Sequence, residues 1–370
     1  MFAKTAKTAV TFVAAVALLS GCGLSAASQP SAGCPAEGWD AALVWSSTSD
    51  PAGEITFLKG DQIVGRQSVP YQGLDPAPAD GAFRVENDVW LKANGDVGRD
   101  KTHLLRYDTQ ACSARAHRVD EQVVRAVAAD ADGFVTTNTI NGAAHVIRRD
   151  LEGRTVVTAE FAELTLTALL PVEGRLLALG ATMGTDTDVA VLLELDPTSL
   201  AERRRVALDG VVGADDLVVQ GDTLFYPKTV VRSGSGSEVE GSAMGVVSLT
   251  DLAQSEVDLG APAPDVVAAE GGALYTAHTF MNPGFRDTDD YRTVSRLDQQ
   301  TGDVQRVDVG AGLLSITTRG DSLIAVTQED GKEPIVTTYQ LPGLTKVSSV
   351  TIPHPKGDHF YVASLLASPQ

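Results

Sequence analysis

The stretch VSRLDQQTGDVQRVDV, residues 294–309, decides how this chain is read. Two β-prone runs, VSRL and VQRVDV, flank the polar turn DQQTGD, which is the pattern of an antiparallel strand pair. The same unit recurs at LLRYDTQACSARAHRV (104–119) and LLELDPTSLAERRRVAL (192–208). Weaker copies stand at VIRRDLEGRTVVTAEF (146–161), VVSLTDLAQSEVDLG (246–260) and TYQLPGLTKVSSVTI (338–352). ITFLKGDQIVGRQSV (55–69) brings the number to seven.

A second signature, a tight turn followed by apolar residues, precedes all but the first of these units. It reads VENDVWL (85–91), DADGFV (130–135), VEGRLL (172–177), VQGDTLF (219–225), AEGGALY (269–275) and TRGDSLI (318–324). Its glycines, Gly133, Gly174, Gly221, Gly271 and Gly320, are 41, 47, 50 and 49 residues apart, a period of propeller blades rather than of immunoglobulin-like domains. From Trp39 onward no amphipathic helix of ordinary length is visible, so the pattern means all-β.

These units resemble the blades of bacterial YVTN-type and quinoprotein-like propellers, with Asp298, Thr301 and Gly302 as the best match to their Asp-x-x-Thr-Gly turn. The resemblance covers nearly all of residues 39–370 and implies a seven-bladed β-propeller of four-stranded blades, about 47 residues each. The expected blades are 41–69 with 359–366, then 81–119, 124–161, 165–208, 213–259, 264–309 and 312–352. The first unit supplies three strands and HFYVASLL (359–366) is one to spare, so the C-terminal strand is expected to close the propeller by pairing with residues 41–46.

The N-terminus has a different character. Lys4 and Lys7 precede an apolar run of 11 residues, AVTFVAAVALL (9–19), too short for a membrane span of about 20. Leu19-Ser20-Gly21-Cys22 follows and resembles the lipobox of bacterial lipoproteins. The resemblance implies removal of residues 1–21, acylation of Cys22 and a place on the extracytoplasmic face of the cell membrane, with 22–38 as a flexible tether.

Losing Lys4 and Lys7 takes the formal charge from −19 to −21, which argues against nucleic acid as a partner. With Cys22 acylated, Cys34 and Cys112 are the remaining thiols in an oxidising compartment, and a disulfide between them is expected.

In a four-stranded blade the connections between second and third strands share one face with the connections between blades. Here that face carries the long segments 92–102, 229–245 and 278–293, and long loops on a rigid scaffold are where function concentrates. Within 229–245, the glycine- and serine-rich residues 232–244 read as a mobile flap or plain disorder. The segment 278–293 combines His278, Phe280, Met281, Phe285 and Tyr291 with Arg286, Arg292, Asp287, Asp289 and Asp290, a mixture suited to recognition of an envelope protein or extracellular ligand.

No phosphate loop, nucleophile elbow or close metal-ligand pair occurs, so no catalytic residue, metal or cofactor is expected. Trp39, Trp45 and Trp90 are confined to the first two blades, away from any tryptophan-docking pattern of quinone-dependent dehydrogenases. The reading is a membrane-anchored binding or assembly module. An enzyme of lactonase-like or quinone-linked type, with its site at the central channel, is the alternative, because propellers host unrelated functions.

Overall fold

The computed structural model describes residues 35, 38–74, 82–85, 87–95, 102–184, 188–279, 291–357 and 359–368. Every regular element among them is a β-strand, and seven four-stranded antiparallel sheets follow one another along the chain in the β-propeller arrangement. Sheet one pairs β1 (Ala41–Ser47), β2 (Gly53–Lys59) and β3 (Gln62–Val69) with β31 (Phe360–Ala367), which lies against β1 from Ala41↔Ala367 to Ser47↔Phe360. The C-terminal strand thus sits one residue later than 359–366, since His359 turns at φ 70° and its carbonyl accepts from Thr48 N at 3.0 Å.

Sheet two is β4 (Ala82–Val85), β5 (Asp88–Ala93), β6 (His103–Asp108) and β7 (Ser113–Arg118). Sheet three is β8 (Val127–Asp130), β9 (Gly133–Ile140), β10 (Ala143–Asp150) and β11 (Thr155–Ala162). Sheet four is β12 (Leu164–Val172), β13 (Arg175–Thr182), β14 (Ala190–Leu195) and β15 (Glu202–Ala207). β16 (Val211–Gly213), β19 (Val230–Arg232) and β20 (Glu238–Glu240) form a small sheet of their own. Sheet five is β17 (Val218–Gln220), β18 (Thr223–Pro227), β21 (Ala243–Ser248) and β22 (Gln254–Asp258). Sheet six is β23 (Pro264–Glu270), β24 (Ala273–His278), β25 (Thr293–Asp298) and β26 (Val304–Asp308). Sheet seven is β27 (Leu313–Arg319), β28 (Ser322–Thr327), β29 (Ile335–Gln340) and β30 (Thr345–Thr351).

Local chemistry explains both kinds of turn. Gly271 and Gly320, at φ 57° and 56°, supply the left-handed backbone that a tight hairpin between first and second strands needs. In the outer turn of sheet six, Asp298 Oδ1 accepts from Gln300 N at 3.0 Å and Thr301 N at 3.1 Å, folding the chain back locally. These bonds, Thr301's first, also hold the Asp298 carboxyl below its ordinary range. Asp108 and Asp196 accept the equivalent turn hydrogen bonds in sheets two and four.

Burial follows the layering. β1, β14 and β24 are buried at every position because adjoining sheets cover both faces, whereas the outermost β15 and β30 are mostly exposed. The apolar core is correspondingly divided into clusters between neighbouring sheets. Val44, Leu91 and Leu105 join sheets one and two, and Trp90, Val127 and Phe134 join two and three. Ala128, Leu166 and Leu193 join three and four; Leu179, Leu192 and Tyr226 join four and five. Phe225 and Leu274 join five and six, Tyr275 and Leu323 join six and seven, and Ile324, Trp45 and Leu365 join seven and one.

The segment 229–245 corrects the expectation of a mobile flap. Its β19 and β20 form a hairpin around the turn Ser233 N to Ser237 O, 2.8 Å, and β19 also pairs with β16. The β-branched Val230, Val231 and Val239 favour extended pairing, and the unbroken glycine-serine run, 233–237, is the turn. Ala263 N donates to Gly241 O at 3.0 Å, which ties the hairpin to the connection entering sheet six.

Candidate functional site

The two ends of the expected recognition segment are internal. His278 closes β24 and is buried, with Nδ1 2.8 Å from the Pro262 carbonyl and Nε2 2.8 Å from Ser295 Oγ. A carbonyl only accepts, so Nδ1 carries the proton of that bond, while Nε2 and the Ser295 hydroxyl share the other. Tyr291 is equally buried, in the core between sheets six and seven. Both residues support the loop ends rather than offer a contact surface, a correction to their expected role. Arg292 pairs with Asp308 at 2.7 Å on the surface, where such pairs contribute little. Phe280, Met281, Phe285, Arg286, Asp287, Asp289 and Asp290 lie outside the described residues.

Where sheets five and six meet, close to Thr279, are two carboxylates that sequence reasoning passed over. Asp216 is buried just ahead of β17, and its Oδ1 accepts from Leu217 N at 2.7 Å. Its Oδ2 reaches into sheet six and accepts from Val267 N, also at 2.7 Å. Burial pushes the group up to about 8; Asp265 and Asp215 add to the effect and the two amide bonds oppose it. Asp265 is raised to about 7 by burial and then by Asp215, while the Thr279 hydroxyl, donating at 3.1 Å, pulls the other way.

A bulge explains the placement of Asp265. The β23–β24 register slips between Pro264 and Val266, and the extra residue is Asp265. Similar slips leave Thr167 and Leu314 as the extra residues of the first strands in sheets four and seven. Bulges re-aim side chains, and of these three positions the one in sheet six holds an acid. A signal was present: Asp-Leu-Val-Val (216–219) and Asp-Val-Val-Ala (265–268) both place an acid directly before an apolar strand.

Two neighbouring carboxyl groups raised toward neutrality can each retain a proton or, once ionised, receive a cationic group. Among the described residues no group of three or more His, Cys, Asp or Glu is placed to hold a metal ion. His117 is also unsuited to that role: burial, then Arg115 and Arg106, push it down to about 4, and it packs between Trp90 and Phe134 at 5.4 and 5.6 Å.

The pair has a measurable consequence. Between the ordinary Asp value of 3.8 and its folded value of about 7, Asp265 keeps a proton in the folded chain that the unfolded chain releases. Stability therefore falls as pH rises through that window, and the loss is complete above it. Asp265→Asn is expected to flatten the decline in melting temperature between about pH 5 and pH 8. An unchanged slope would refute the assignment.

Cys112 is disulfide-bonded, while Cys34 and Cys22 lie outside the described residues. Trp39 Nε1 donates to the carbonyl of Thr109 at 3.4 Å, so the start of the domain lies beside the outer turn that carries Cys112.

No family model and no curated protein matches the chain. Solved structures do match it across most of its length. A putative 6-phosphogluconolactonase from Bacteroides fragilis superposes with a TM-score of 0.52 at 13% identity, covering 88% of this chain and 97% of that one. An ACO/RPE65 chimera gives 0.55 at 7% identity, covering 93% and 94%. Apo AztD from Citrobacter koseri gives 0.52 at 8%, covering 89% and 98%. At such identities the likeness is one of fold, and these are propeller-type folds.

Proposed function

We propose that the protein is a lipid-anchored, extracytoplasmic β-propeller that serves as a binding or assembly module of the cell envelope. Its partner or ligand is engaged on the face where sheets five and six meet. The observation that carries this reading is the hydrogen bond from Thr279 to Asp265, because it ties a proton-retaining carboxyl to the residue at which the aromatic connection begins. The β19–β20 hairpin is tied through Ala263 to the connection that enters sheet six just ahead of Asp265. Carboxyl groups where the connection begins, with aromatic residues in its sequence, suit a ligand that carries a cationic group. The lipobox ending at Cys22 supports the membrane location.

The test is the triple variant Phe280→Ala, Phe285→Ala, Arg286→Ala, with Tyr291 retained because its ring belongs to the core. Crosslinking in intact cells identifies the partner, and the folded variant should bind it more weakly by at least about 2 kcal/mol. An unaltered partner set would overturn the reading. In parallel, Cys22→Ser should move the protein from the membrane to the soluble fraction, since the acyl chains are the proposed anchor.

A second reading has one observation in its favour. A carboxylate near neutrality is what a general base requires, so Asp265 would serve a hydrolase acting at the channel, the class suggested by the lactonase-named neighbour. Asp265→Asn would then abolish turnover of a lactone substrate while leaving partner capture intact.

A further inference from the structure

Elsewhere on the same face, where sheet seven meets sheet one, a groove of about 660 Å³ opens between the β1–β2 turn and the connection leading to β31. That volume falls within the range of small-molecule sites, roughly 300 to 1,000 Å³. Pro70, Pro353 and Phe360 form apolar walls, and Arg66, His354 and Lys356 bring basic groups to the same space.

Glu54 and Arg66, which line the groove, belong to a connected hydrogen-bond network that runs into the core. Trp45, fully buried, donates from Nε1 to Thr56 Oγ1 at 3.1 Å, and that hydroxyl donates to Glu54 Oε1 at 3.2 Å. The same carboxylate oxygen accepts from Arg66 Nη1 at 2.7 Å, while Arg66 Nη2 donates to the Pro353 carbonyl at 2.7 Å. The guanidinium is thus held in one orientation before any ligand arrives. His354 lies against Trp45 with ring centroids 5.1 Å apart. No hydrogen bond or ion pair among the described residues engages the ring nitrogens of His354 or the ammonium of Lys356. Three basic side chains against the single Glu54 also invert the balance of a chain whose net charge is −19.

We propose that this groove is a second binding site, specific for a small organic anion. A carboxylate or phosphate monoester would meet Lys356, His354 and the fixed Arg66, with its apolar body against Pro70 and Phe360. Fixed donors and preformed apolar walls reduce the ordering cost of binding, and a charge-assisted contact supplies selectivity for the anion. The groove also spans the seam between the first and last strands, which Arg66 bridges to Pro353 and Thr48 bridges to His359. Occupancy should therefore raise the melting temperature by mass action.

Phenyl phosphate and the uncharged benzyl alcohol, titrated separately into the full chain in detergent, test the proposal by calorimetry and thermal melting. Phenyl phosphate should bind saturably at one site, raise the melting temperature and weaken with added salt, whereas benzyl alcohol should not bind. The double variant His354→Gln, Lys356→Gln should lose at least about tenfold in affinity with the unliganded melting temperature unchanged. Absence of saturation, equal binding of benzyl alcohol or unchanged affinity in the double variant would overturn it. Should the His354 change disturb packing on Trp45, Lys356→Gln alone decides, because that side chain is exposed: a loss of affinity supports the site and no loss refutes it.

Discussion

A chain ending at residue 358 should fail to fold cooperatively, because β31 is structural on both of its faces. Leu365 packs with Trp45 and Ile324 between sheets seven and one, while Ala363 and Leu366 pack with Val44 and Leu91 between sheets one and two. Leu365 and Leu366 are 5% and 4% exposed, and burying one leucine contributes about 1.5 to 3 kcal/mol. The two leucines alone therefore account for roughly 3 to 6 kcal/mol, against a total stability of about 5 to 15 kcal/mol for an ordinary domain. Deletion would also strip the hydrogen-bonded partner from β1 between Ala41 and Ser47, leaving an apolar edge that invites aggregation. Urea melts should show a lost or severely weakened transition, and a synthetic peptide of residues 359–370 should partly restore it. An unchanged melting temperature would show that β31 is dispensable.

The second large effect concerns a buried ion pair. Arg149 on β10 meets Glu121, in the connection between sheets two and three, through Nη2–Oε2 at 2.7 Å and Nη1–Oε1 at 2.9 Å. The Thr136 hydroxyl on β9 accepts from Arg149 Nη1 at 2.8 Å and donates to Glu121 Oε1 at 2.5 Å. The charged side chains are 4% and 1% exposed, so neither finds water if its partner is lost. Arg149→Met should therefore cost about 3 to 5 kcal/mol, much of it the penalty of an uncompensated carboxylate. Replacing both residues, Arg149→Met with Glu121→Leu, should recover most of that loss, since a packed apolar pair removes the desolvation cost. Chemical denaturation of the two variants checks both statements. A single-variant cost below about 1 kcal/mol would mean that water reaches the site.

The turns were legible in the sequence because their causes are local. Asp298 bonds to amides two and three residues on, and Gly271 and Gly320 take a left-handed backbone whatever the rest of the chain does. Segment 229–245 was misread for a related reason. Its Gly-Ser turn dominates the composition, whereas the pairing of β19 with β16 depends on residues some twenty positions earlier. Segment 278–293 shows the same limit, since its mixed character was visible but the burial of His278 and Tyr291 was not.

The sequence by itself determined an all-β chain of repeated hairpins and a blade-length period, each of which is written in neighbouring residues. Tertiary structure decided which polar groups meet. Asp216 and Asp265 are 49 positions apart, and Asp216 reaches Val267 only because sheets five and six pack side by side. Arg66 reaches Pro353 across 287 positions because the last strand lies on the first sheet. Contacts of that range depend on packing between whole blades, and burial then sets the charge each carboxylate keeps, which no local pattern encodes.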